Sequence, residues 1–328
     1  MRHLPGLLLS LLAALPAAAQ ETDCDRLAGY VGLPRLEGLA GAYAIRDPAA
    51  AVAACEAARA AEPGDAFLAI LLARARLAAD PQDADVLTLL AEAATALPAL
   101  AAGVLGQLYE YGQAGVPPGA MQARDSYRAA CDFWPDRQAA PGCTGMAVMM
   151  IEGRGGAEDL TGGFNLLGHL CRDGWGEACT QAAFQTDVRG DGDPGRIAAL
   201  FEAGCDAGDL LACAQFGFRL ELGEGIGLDM ARAQDLYRRA CDGGEPQGCS
   251  SLGEIYRSGL GVRPDMNEAV RLFELGCGGN DAYACVTLGD ILSDGRGVAR
   301  DVPRALVVLE RACGLGDPEA CDRVDLMR

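Results

Sequence analysis

Residues 233–268 read AQDLYRRACDGGEPQGCSSLGEIYRSGLGVRPDMNE, and residues 269–304 read AVRLFELGCGGNDAYACVTLGDILSDGRGVARDVPR. The two stretches superimpose without a gap. Each opens on an alanine, carries an aromatic four positions on (Tyr237, Phe273) and a cysteine four after that (Cys241, Cys277). A second cysteine follows after seven residues (Cys249, Cys285). The first cysteines Cys205, Cys241, Cys277 and Cys313 recur every 36 residues. A fixed period of this size is the signature of a solenoid in which each unit stacks on the next.

The unit reads as two antiparallel helices. Ala269, Leu272, Phe273 and Gly276 have the i, i+3, i+4, i+7 spacing of one buried helical stripe. Gly276 and its counterpart Ala240 are small, which permits close helix approach. The acids four residues after each first cysteine (Asp209, Glu245, Asp281 and Asp317) are placed to cap the second helix. Asp229, Asp265 and Asp301 are placed to cap the first helix of the next unit, with Glu268 completing a capping box behind Asp265. The pairs Gly259/Gly261 and Gly295/Gly297 are turn glycines, because they lack the third glycine and the preceding strand of a dinucleotide fingerprint.

C-x₇-C then falls across the turn of a hairpin, where antiparallel neighbours can reach the ~5.5 Å Cα separation of a disulfide. Five such pairs run from Cys171/Cys179 through Cys205/Cys213, Cys241/Cys249, Cys277/Cys285 and Cys313/Cys321. Zinc is the rival reading for paired cysteines, but the spacing is not CxxC. Cys131 and Cys143 form a pair stretched by the loop FWPDRQAAPG. Further back the cysteine positions hold Ala94 and Ala102, then Ala61 and Ala69, so the cysteines disappear two at a time. Elimination leaves Cys24 to bond Cys55.

Residues 1–19, MRHLPGLLLSLLAALPAAA, have the basic start, apolar run and small-residue end of a signal peptide, with cleavage expected before Gln20. This predicts a periplasmic or secreted protein, where disulfides persist. The chain divides into a signal peptide (1–19), an arm tied by a disulfide (20–47), two degenerate repeats without the cysteines (48–122) and the cysteine-paired repeats (123–328). The last group splits at 123–162, 163–196, 197–232, 233–268, 269–304 and a half-length 305–328, giving seven full hairpins and a partial one.

The unit A-x₃-[YF]-x₃-C-x₇-C-x₂-[LF]-G…G-x-G-[VI]-x₂-D-x₃-A resembles the SEL-one-like repeat, a relative of the tetratricopeptide repeat. The C-x₇-C pairs make it similar to the cysteine-rich branch found in secreted and periplasmic bacterial proteins. The resemblance covers roughly residues 83–328. It implies an all-α, right-handed superhelix of disulfide-stapled hairpins that mediates protein–protein interaction, for example by regulating an envelope protein or sensor. Some cysteine-rich members bind or slowly hydrolyse β-lactams, so the alternative expectation is a weak β-lactam hydrolase. No catalytic motif transfers residue by residue.

Composition narrows the chemistry. The 328 residues include no lysine and two histidines, His3 and His169. This excludes a P-loop, a Schiff base, the SxxK and KTG motifs of serine β-lactamases and a His₃ zinc site. The formal charge of −19 argues against nucleic acid and fits a basic protein, peptide or cation, as well as simple solubility. No catalytic residue, cofactor or metal is assigned, and no membrane-spanning segment is expected. Calcium at Asp187, Asp191 and Asp193 lacks the spacing of an EF-hand loop. The adhesion tripeptide Arg189-Gly190-Asp191 is too short to carry weight.

A solenoid presents a concave groove to a protein or peptide, expected here mainly from the first helices. Its candidate contacts are Arg128, Glu202, Arg238, Glu274 and Glu310, each three before a first cysteine, with Arg239 and Arg311 two before. The same positions also read as a solvated helix face. Trp134 and Trp175 lie in adjacent hairpin turns and read either as binding anchors on one edge or as packing over neighbouring turns.

Overall fold

An alanine-rich sequence with two apolar stripes per 36 residues favours short helices that cannot bury their faces alone. The computed structural model describes residues 22–28, 45, 47–190 and 192–328. The signal peptide, its cleavage site and most of the arm lie outside them. Among the described residues every regular element is helical. A short helix α1 (Asp23–Ala28) is followed by α2 (Pro48–Ala61) and α3 (Ala66–Ala79), then α4 (Asp85–Ala93) and α5 (Pro98–Tyr111). The cysteine-paired hairpins begin with α6 (Ala120–Cys131) and α7 (Ala140–Glu152), α8 (Leu160–Arg172) and α9 (Gly176–Arg189), and α10 (Pro194–Asp206) and α11 (Leu210–Leu222). They continue with α12 (Met230–Asp242) and α13 (Pro246–Ser258), α14 (Met266–Gly278) and α15 (Ala282–Asp294), and α16 (Val302–Gly314) and α17 (Pro318–Met327). The final unit is more complete than its length predicts. α16 has the full 13 residues and only α17 is short, at 10.

The caps explain where the helices start. Asp209, Glu245, Asp281 and Asp317 each accept a backbone N–H from the first turn of a second helix. Asp229, Asp265 and Asp301 do the same for first helices. The capping box behind Asp265 does not form. The Asp265 N–H donates to the Tyr256 carbonyl at 2.9 Å, and Glu268 turns outward to pair with Arg271. Each second helix from α11 to α15 stops at a glycine in the left-handed region, such as Gly223 at φ 71°.

Seven disulfides join Cys24–Cys55, Cys131–Cys143, Cys171–Cys179, Cys205–Cys213, Cys241–Cys249, Cys277–Cys285 and Cys313–Cys321. Their Cα–Cα distances lie between 4.5 and 4.8 Å. Every one from Cys131 onward staples the two helices of one hairpin. None joins one hairpin to the next.

What joins hairpins is packing. On α6, α12, α14 and α16 the large side chain four positions into the repeat fills the space over a glycine on the preceding second helix, a place that α7 and α9 give to Ala147 and Ala183. A Cβ on Gly217 would sit 2.9 Å from the Tyr237 ring, one on Gly253 3.2 Å from Phe273, and one on Gly289 2.7 Å from Leu309. Gly106 and Tyr127 repeat the arrangement further back, with 2.5 Å. Tyr127, Tyr237, Phe273 and Leu309 are all buried. Two of them reach further, since the Tyr237 hydroxyl donates to Glu221 at 2.7 Å and the Tyr127 hydroxyl to Glu110 at 2.6 Å.

Two stability outcomes follow from these contacts. Gly217→Ala gains helix propensity but drives a methyl into a ring held on both sides, so a net loss of about 1–2 kcal/mol is expected. Gly278→Ala, where a Cβ meets nothing within 4 Å, is the near-neutral control. Thermal unfolding followed by circular dichroism compares the two, and equal melting temperatures would refute the interlock. Replacing Cys241 and Cys249 together by alanine should leave a folded chain, as Ala61/Ala69 do naturally, while removing roughly 2–3 kcal/mol of loop-closure stabilisation. Chemical denaturation of the oxidised proteins measures this.

Candidate functional site: the inner face of the second helices

Successive second helices α5, α7, α9, α11 and α13 pack directly on one another, whereas no two successive first helices make a comparable contact. The closer layer lies on the inside of the bend. This corrects the expectation that first helices form the concave face: they form the outer layer.

One stripe per second helix faces inward. Counted from the second cysteine, it holds positions −2, +2 and +5, an i, i+4, i+7 spacing that aligns on one side of a helix. On α11 it places Gln215 and Phe218, on α13 Gln247, Ser251 and Glu254, and on α7 Pro141, Gly145 and Val148. On α5, with Ala102 in the cysteine place, Leu100, Val104 and Gln107 follow the same rule. Three cavities line up along it. The first, about 110 Å³ between α3 and α5, is mostly apolar, with Ile70, Leu77, Leu100 and Val104. The second, about 250 Å³ between α5, α7 and α9, is polar, with Glu110, Glu152, Arg154 and Gln181. The third, about 420 Å³ between α11, α13 and α15, holds Gln215, Phe218, Glu221, Gln247, Glu254 and Tyr283. A further cavity of about 520 Å³ opens between α8 and α10, where the connector is shortened. The sequence signal for the inward stripe is the register of the second cysteines, a set of positions distinct from the charged ones on the first helices.

The residues singled out on the first helices are partnered within the chain. Arg128 pairs with Asp125 and Arg238 with Asp235, each on its own helix. Glu202 pairs with Arg232, whose guanidinium lies 4.8 Å over the Phe216 ring, and Glu274 pairs with Arg304. Glu310 pairs with Arg328. Arg239 donates to the Cys205 carbonyl at 3.0 Å, and Arg311 to the Gly278 carbonyl at 2.9 Å. These two arginines therefore bind the carbonyl end of the previous first helix, where a cation is favoured by the helix dipole. The structure does not bring these residues together as a groove.

Trp175 is 5% exposed and belongs to a core with Leu167, Leu170 and Ala178, against which Trp134 packs partly buried. Trp134 lies in the stretched turn and Trp175 in the next one, where it is covered by its own chain. His169 is exposed and contacts Arg172. Asp187 pairs with Arg219 and Asp193 caps α10, so these two carboxylates serve different partners, while Asp191 lies outside the described residues. Among the described residues no group of His, Cys, Asp and Glu is arranged to hold a metal, and no helix is long and apolar enough to cross a membrane.

Beneath the inner face runs a row of acids. Asp209 receives the Thr180 hydroxyl at 2.6 Å and Asp281 receives the Ser250 hydroxyl. Each donor follows a second cysteine. In the intervening hairpin that position is Ala214, so Glu245 receives no hydroxyl from it. Glu245 is 3% exposed, and its side chain accepts the Gln247 N–H at 3.1 Å. Burial pushes its carboxyl up to about 7, and the charges of Asp209 and Asp281 add to the rise against the Gln247 N–H.

The Sel1 repeat model matches residues 99–132, 210–245, 246–281 and 282–317. The chain carries four Sel1 repeats. Two solved structures share its fold. A Sel1 repeat protein from Oxalobacter formigenes aligns with TM-score 0.57 at 22% identity, over 73% of this chain and 97% of that one. A protective antigen of uropathogenic Escherichia coli strains, displaying an SLR fold, aligns with TM-score 0.50 at 20% identity, over 85% of this chain. The chain spans 59% of that antigen's length. The cysteine rich protein B of Helicobacter pylori aligns over 38% of this chain and 89% of its own at 27% identity, with TM-score 0.33. No curated protein matches.

The acid row of the Sel1 hairpins predicts a pH effect. In the unfolded chain Glu245 titrates near 4.5, and in the fold near 7, so the folded state binds more protons between these values. Its destabilising effect is absent below 4.5, grows as pH rises and is complete above 7. Glu245→Gln, which keeps the cap acceptor, should therefore stabilise the protein at pH 8 by an upper bound of about 3 kcal/mol and leave pH 4 nearly unchanged. Ala214→Ser, supplying the missing hydroxyl, should lessen the pH slope. Urea midpoints at pH 4, 6 and 8 decide, and parallel curves for all three proteins would rule the effect out.

Proposed function

We propose that this chain is a non-enzymatic scaffold of an oxidising, extracytoplasmic compartment, periplasmic or secreted, that holds a protein or peptide along its second helices. The observation that carries this reading is the row of cavities lined by one stripe of successive second helices. Solenoids use such extended surfaces for recognition. Sel1 repeats mediate protein interaction, and the seven disulfides suit a compartment without a thiol-reducing system. Regulation of an envelope protein or sensor is the role this surface suits.

A photo-crosslinking amino acid at Val148 or Gln181 on the inner stripe should capture a discrete partner in intact cells. The same probe at Arg238 or Glu274 on the outer layer should not. Capture confined to the outer positions would overturn the reading. Nitrocefin turnover by the purified oxidised protein, abolished by substitutions on the inner face, would instead make it a hydrolase.

A further inference from the structure

The three inner cavities differ in charge, and the difference points to a guest. The cavity between α3 and α5 is small and mostly apolar, and in the next one Arg154 pairs with both Glu110 and Glu152. The cavity between α11, α13 and α15 is lined by three carboxylates, Glu221, Glu254 and Asp281, and by no cationic side chain. Glu254 is neutralised from outside the cavity by Arg257. The other two accept from neutral donors. Glu221 accepts the Tyr237 hydroxyl, and Asp281 accepts the Ser250 hydroxyl and the Tyr283 N–H. Neutral donors orient a carboxylate without cancelling its charge, so two uncompensated negative charges face one concave space.

Two large aromatics flank it. Phe218 on α11 is 43% exposed and Tyr283 on α15 is 54% exposed. An apolar ring left in water beside a carboxylate suits a side chain with an aliphatic stem and a cationic head, through burial of the stem and attraction of the cation to the ring face. Gln215 and Gln247, joined by a 2.8 Å hydrogen bond between α11 and α13, place side-chain amides along the same wall. Amides at that position complement the main chain of an extended segment. The volume of about 420 Å³ falls in the range of small-ligand sites, large enough for an arginine or lysine side chain with its flanking backbone.

We infer that the cavity between α11, α13 and α15 is a subsite for a basic side chain, arginine or lysine, of an extended peptide segment laid along the second helices. The inference rests on the scaffold reading and specifies its partner by charge. The outer layer cannot supply the same chemistry, because its acids Glu202, Glu274 and Glu310 are already paired with arginines.

Fluorescence anisotropy of the full oxidised chain tests it, with fluorescein-labelled Gly-Arg-Gly-Arg-Gly as probe and the citrulline version as its uncharged twin. The arginine peptide should bind and the citrulline peptide should bind at least about tenfold more weakly. Glu221→Gln with Asp281→Asn keeps the hydrogen-bond acceptors and the cap while removing both charges, and should weaken binding by about tenfold or more. Phe218→Ala with Tyr283→Ala should weaken it by about fivefold, without altering the charge. Glu202→Gln with Glu310→Gln changes the net charge equally on the outer layer and should leave binding unaltered. Circular dichroism melts confirm that each variant is folded. Equal binding of both peptides, or equal loss from the inner and outer charge pairs, would overturn the subsite. If the arginine peptide fails to bind while inner-stripe crosslinks to a cellular partner persist, this inference falls and the scaffold reading stands. If both fail, the scaffold reading falls with it.

Discussion

The whole array depends on one contact repeated between units: a large side chain from a first helix seated over a small residue, glycine or alanine, of the second helix before it. Tyr237 over Gly217, Phe273 over Gly253 and Leu309 over Gly289 are the same joint at three points. A hairpin alone cannot bury its stripe, so the free energy of each unit is shared with its neighbours. The disulfides play a different part. They limit the unfolded ensemble within one hairpin and leave the relation between hairpins to packing. Curvature follows from the same joint, because a small residue on the second helix lets that layer close up while the first helices stand apart.

The fold was legible because its punctuation is chemical. Cysteines at a fixed interval mark the turn, acids mark the helix starts and glycines mark the ends, each at its own offset. The contacts between units were harder to read. Tyr237 lies 20 residues beyond the glycine it covers, and nothing within a single unit announces that the two meet. The candidate site suffered most from this. Charged positions on the first helix stand out in the sequence, yet Glu202 on α10 and Arg232 on α12 satisfy each other between neighbouring hairpins. Trp175 reads either as an anchor or as packing, and its burial among Leu167, Leu170 and Ala178 depends on contacts between turns that one unit does not display.

The acid row shows how a single substitution in a regular array changes the chemistry of its neighbours. Thr180 and Ser250 each tie a cap to the preceding second helix through a hydroxyl. Ala214 does not, and the longer Glu245 stands opposite it. Ala214 lines the third cavity and Glu245 caps α13, which forms one of its walls, so local proton affinity and the inner surface are neighbours.

All seven bridges join cysteines that are consecutive along the chain. A polypeptide that enters an oxidising space from its N-terminus presents its thiols in that same order. The simplest rule an oxidase can follow, coupling each new thiol to the one just before it, yields the native connectivity two at a time. Errors need not wait for later cysteines to be corrected, and lengthening the array by another hairpin adds its own closed pair without enlarging the set of wrong pairings already left behind. The regular spacing is thus also an assembly instruction, readable while the rest of the molecule is still being made.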